Sequence, residues 1–202
     1  MGLTFSEAKL ARAYNKVRDE LRGLRLLDDG WYLDDIECMA HWDPSALFVR
    51  ECARVYDDEV SWPGSWVGFK PGTIYVFAAA PVEAYVPGGT LIDVIRHEFA
   101  HAWAWRDRPF FRGRWFRDAF GATYHTAPWS NPDDFDATDY VSEYATSQAK
   151  EDFAETFMVY LRDRRNLSKY RRRPGVFAKL KAVEAAVEEA AENRVYTARR
   201  PR

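Results

Sequence analysis

Residues 97–101 of the chain read His-Glu-Phe-Ala-His. Two histidines four positions apart project from one face of a helix, so their imidazoles can meet at a single point. Neutral imidazole is a preferred ligand of Zn²⁺, and a working site adds a third protein ligand and keeps a position for water. Glu98, on the adjoining face, is placed to take a proton from that water and pass it to a leaving amine. Two of the four histidines in the chain fall in this pattern. The pattern also lies well inside a helix, which is the context such a motif needs.

The third ligand has four candidates. Asp107 lies six residues after His101, a spacing that requires the helix to end in between, and Ala104 and Trp105 continue it instead. His125 falls in a loop between Tyr124 and Thr126, where a substrate or oxyanion contact suits it better. Glu151 and Glu155 remain, four apart on one helix face and flanked by Phe153, Ala154, Phe157 and Met158. That flanking leaves little circumference for solvent. Two carboxylates on one face can divide the work, one binding the metal and the other accepting the Nδ1–H of a ligating histidine.

The elements that must position these groups are mostly helical. Leu10, Val17, Leu21 and Leu24 recur at helical spacing and predict a first helix over 6–27. Thr90 and Asp93 form a capping box for the metal helix, which runs to about Arg106 before Pro109 stops it. A glutamate helix is expected from about Ser147 to Arg164, and Pro174 opens a last helix over 174–192. Strands are expected within 31–42 and 66–78, the latter including Thr73–Phe77; residues 46–57 fit strand and helix equally. Residues 107–142 read as a polar, aromatic excursion with one short helix near Trp115–Phe120.

The downstream reading Tyr-x6-Glu-x-Phe-Ala-Glu, Tyr144 to Glu155, resembles the lethal-factor-type group of gluzincins. That group includes the Pro-Pro endopeptidases and the bacterial glucose-regulation titration factor. The resemblance covers about residues 90–162. It implies that Glu151 is the third zinc ligand, that Tyr144 stabilises the oxyanion, and that Glu155 supports a zinc histidine, His97. Asp152 stands where relatives commonly carry an aromatic residue.

The bulk numbers fit this reading. A chain of 202 residues with net charge −2 suits one domain with no global field for nucleic acid or membrane. Cys38 and Cys52 lack metal spacing and read as free thiols, and the N-terminus lacks the apolar stretch of a signal peptide. A cytoplasmic location follows as the expectation. Gly2 with Ser6 fits a myristoylation pattern only formally.

The expected fold is α+β, a single zincin-like domain over 1–202. A small, partly antiparallel sheet would pack on the zinc-binding helix and the glutamate helix, with a catalytic core over about 66–165. Thr73–Phe77 is the candidate for pairing with an extended substrate. The expected function is zinc-dependent endopeptidase action on a peptide or protein, with Glu98 as general base. Two alternatives stay open. One is a non-catalytic zinc-site regulator. The other is a nucleic-acid-associated protease using Arg162–Arg173 and the Arg-aromatic stretch 108–120.

Overall fold

The computed structural model describes residues 5–27, 33–41, 53–55, 72–77, 89–124 and 135–198. Helix α1 (Glu7–Gly23) starts at Ser6, whose side chain accepts the Lys9 N–H, and buries Leu10, Ala13, Val17 and Leu21. It ends four residues before the sequence pattern does. Leu26 N–H closes on the Leu21 carbonyl (2.9 Å), Arg25 N–H closes on Arg22 (2.9 Å), and Arg25 takes a left-handed φ of 57°. That is a Schellman ending, with arginine where glycine is usual. Leu24 and Leu26 continue the apolar spacing without continuing the helix.

Strands β1 (Glu37–His41), β2 (Ala53–Val55) and β3 (Thr73–Phe77) form one sheet in the order β1-β3-β2. The two strands read from the sequence, β1 and β3, run parallel, with Glu37 opposite Thr73 and His41 opposite Phe77. The antiparallel member is β2, in the segment the sequence left undecided, with Val55 opposite Ile74. Strand β3 is therefore central, and all five of its residues are buried. Its backbone is engaged on both sides, so the expectation that Thr73–Phe77 pairs with a substrate does not hold.

Helix α2 (Leu91–Arg106) begins at the expected capping box: Thr90 accepts from Asp93 N–H while the Asp93 carboxylate accepts from Thr90 N–H. A short helix α3 (Arg108–Phe111) follows at once, its first turn carrying Pro109. Helix α4 (Arg114–Phe120) ends on Gly121 at φ 74°, a left-handed position suited to a residue without Cβ. A single 3₁₀ turn (Tyr144–Thr146) leads into α5 (Ala149–Asp163). Residues 164–170 form a further 3₁₀ segment, and α6 (Pro174–Ala198) runs on past the expected end at 192.

Helix α5 is buried on nearly every side, from Glu151 through Leu161. It packs more extensively on α2 than any other pair of helices in the fold, and α6 covers another of its faces. Between these helices lies an aromatic cluster drawn largely from the presumed excursion. Phe111 meets Phe153 at 5.0 Å and Trp103 at 5.1 Å, and Phe116 meets Phe120 at 4.9 Å. Each fully buried phenylalanine contributes roughly 1.5–3 kcal/mol relative to exposure. Phe111, Phe116 and Phe120 of stretch 108–120 are buried in the core, so these three rings are not available as a stacking platform for bases.

One charged network ties α1 to α2. Arg96 donates to both carboxylate oxygens of Glu20 (2.7 and 2.9 Å) and to Asp93 (2.8 Å), with all three residues buried. Among the described residues no helix is long and apolar enough to cross a membrane. Cys38 is a free thiol; Cys52 and His125 lie outside the described residues.

Candidate metal centre

His97 and His101 occupy the middle of α2, one turn apart, where the ladder of backbone hydrogen bonds fixes both Cα positions. Their Nε2 atoms lie 3.1 Å apart. Glu151 lies in the first turn of α5, where the helix dipole favours a carboxylate. Its Oε2 sits 3.2 Å from each histidine Nε2. Four ligands arranged tetrahedrally around zinc at about 2.0–2.1 Å stand about 3.3 Å from one another. The triangle of three donors matches that spacing, so the residues present fit a zinc ion.

The far nitrogens of both rings are also held. His97 Nδ1 is 2.8 Å from Glu155 Oε1. The other oxygen of Glu155 accepts from Ser142 Oγ at 2.7 Å, and Ser142 Oγ in turn accepts the Ala145 N–H at 3.2 Å. His101 Nδ1 is 2.6 Å from the Tyr124 hydroxyl. Glu98 is buried, and its Oε2 accepts the Val55 N–H of β2 at 2.9 Å. Tyr144 lies on the 3₁₀ turn with its ring centroid 5.9 Å from that of His97.

The electrostatics follow from three carboxylates meeting two imidazoles in a small space. Burial opposes a charged His97, but Glu151 and Glu155 outweigh it and hold the ring well above its ordinary range. Burial pushes Glu151 up, yet His101 and His97 bring it well below the usual carboxylate range. Glu155 is likewise lowered, its burial outweighed by His97 and Ser142. Glu98 goes the other way: burial raises it, with Glu151 adding, against the two histidines and Val55. Burial and the charges of Glu151, Glu98 and Glu155 push the Tyr144 phenol above its ordinary value. More than half of Tyr144 is exposed (55%), so the residue is open to solvent beside the centre.

Of the residues singled out from sequence, the structure gathers His97, His101 and Glu151 into one potential metal-binding group. Glu98, Glu155 and Tyr144 lie around it. Asp107 is not part of that group and forms the C-terminal cap of α2. Three contributors carried no local signal: Val55, Ser142 and Tyr124. A family model described as "putative zinc-binding metallo-peptidase" matches residues 86–191, just over half of the chain. The chain belongs to this family. The match takes in α2 to α5 whole, so every donor of the candidate centre falls inside the family's own region. Comparison with curated proteins finds no match, and comparison with solved structures finds none either.

Proposed function

We propose that this metallo-peptidase family member cleaves peptide bonds as a zinc-dependent endopeptidase of the gluzincin type. The observation that carries the reading is the convergence of His97 Nε2, His101 Nε2 and Glu151 Oε2 within 3.1–3.2 Å of one another. A histidine that offers Nε2 to a metal carries its proton on Nδ1. Here both Nδ1 atoms have oxygen partners. Two imidazole lone pairs and a carboxylate then face one another, an arrangement that is stable only around a positive charge.

When bound, zinc supplies Lewis-acid polarisation of a carbonyl and a water of lowered pKa. Glu98 takes the proton of the attacking water and gives it to the leaving amine. The Val55 N–H fixes Oε2, which assigns proton transfer to Oε1. Its raised pKa makes the carboxylate a better proton acceptor near neutral pH. Tyr144 stays protonated across the working range because its pKa is raised, so it can donate to the oxyanion. Strand β2 contacts α2 and reaches Glu98 through the Val55 N–H, so the sheet borders the metal centre on the side of the general base.

The test is cleavage of a diverse peptide library by the protein and by Glu98→Ala, with bound zinc quantified in both. Cleavage lost in Glu98→Ala while zinc stays bound is the expected result. A zinc-loaded protein that cleaves nothing would refute the catalytic reading, and a protein that takes up no zinc would refute the whole assignment.

A further inference from the structure

The two histidines of the centre have partners of different kinds. His97 faces the carboxylate of Glu155, whereas His101 faces a phenol. We propose that Tyr124 is the positioning residue for His101: it accepts the Nδ1–H, fixes the tautomer that presents Nε2 to the ion, and locks the ring's rotation. This inference rests on reading His97, His101 and Glu151 as a metal site.

The geometry favours this role over simple packing. Tyr124 is 7% exposed, and its hydroxyl lies 2.6 Å from His101 Nδ1. The tyrosine ring meets Phe116 at 5.5 Å, Phe111 at 5.7 Å and Phe153 at 6.3 Å, all near edge-on. Three rings from α3, α4 and α5 thus hold the phenol on one line, with His101 at its end, 6.3 Å between centroids and 73° between planes. A tyrosine required only for packing would be served equally by phenylalanine.

The difference between the two partners also has chemical content. A carboxylate partner both orients a histidine and strengthens it as a donor. A phenol orients it and adds no charge. Glu151, Glu155 and Glu98 already surround the centre with three carboxylates. Tyr124 gives His101 direction and leaves that count of charges unchanged.

The experiment uses the full chain and zinc alone as the probe. Zinc dissociation constants are measured by chelator competition for the protein, for Tyr124→Phe and for Glu155→Gln, and histidine Nδ1–H signals are recorded by NMR on the zinc-loaded forms. In the unsubstituted protein, two exchange-protected Nδ1–H signals are expected, one of them close to the Tyr124 ring protons. Tyr124→Phe should weaken zinc binding tenfold to about a hundredfold, losing the protection of His101 and keeping that of His97. Glu155→Gln keeps an oxygen to accept the His97 Nδ1–H and removes its charge, so it should weaken zinc binding with both signals retained. Weakening below tenfold in Tyr124→Phe, or a His101 Nδ1–H without proximity to Tyr124 in the unsubstituted protein, would overturn the proposal. The second measurement needs no variant to fold. Absence of zinc binding in the unsubstituted protein would instead remove the metal reading itself.

Discussion

Replacing Glu20 by alanine tests how the metal helix is anchored. Glu20 lies on α1 and supplies both oxygens to Arg96 on α2, while Asp93 takes the remaining end of the guanidinium. The side chains are only 10%, 10% and 4% exposed for Arg96, Glu20 and Asp93. Removing one partner of a buried ion pair costs about 3–5 kcal/mol, because the other charge is left without compensation. Asp93 remains to neutralise Arg96, so the low end applies, about 3 kcal/mol. For a chain of this size each kcal/mol moves the midpoint by about 2–4 °C, giving a fall of roughly 6–12 °C. Thermal unfolding followed by circular dichroism reads this directly. A Glu20→Ala cost below about 1 kcal/mol, the range of an exposed pair, would refute the reasoning.

Two further outcomes follow from the centre, and one from the aromatic core behind it. His97 in the metal-free protein is held well above its ordinary pKa. The stability its charge contributes is full below the unfolded value and is lost as pH rises through the folded one. Zinc must displace that proton, so uptake near pH 7 should release about one proton, read by calorimetry in two buffers of different ionisation enthalpy; no release would contradict the shift. Tyr144→Phe should lower kcat by about 10²–10³ with zinc content unchanged, and an unaltered kcat would remove its assigned role. Phe153→Ala empties the middle of the aromatic cluster and should cost about 3–5 kcal/mol, measured by guanidinium unfolding.

The helices were legible where period and punctuation agree. Thr90, Asp93 and Pro109 bracket α2, and the apolar neighbours of Glu151 and Glu155 mark α5 as a helix with no solvent face. The sheet was less legible because its order depends on pairings between distant segments. Nothing local in Ala53–Val55 says that it flanks β3, and that pairing is what makes β3 central. Residues 107–124 read as an excursion holding one short helix near Trp115–Phe120, which the structure has as α4, because Pro109 and Gly113 interrupt the helical period before it. Yet their aromatic residues fall on one side and fill the space between α2 and α5. Tyr124 and Ser142 carry no motif, since each acts on a group more than ten residues away across a turn. Only the fold brings them in.

Asp152 departs from the aromatic residue that the resemblance leads one to expect, and the structure shows what replaces it. Lys179 of α6 reaches its carboxylate at 2.6 Å, lies 4.0 Å from the Tyr140 ring centre and donates to the Asp139 carbonyl at 2.8 Å. Burial still raises Asp152 to about 6 against the pull of Lys179. An aromatic ring at 152 would take the carboxylate from Lys179 and leave that lysine the Asp139 carbonyl and the Tyr140 ring, whereas loss of Lys179 would leave Asp152, 2% exposed, without its cation. The two positions are therefore unequal partners: the lysine can be parted from the acid more cheaply than the acid from the lysine.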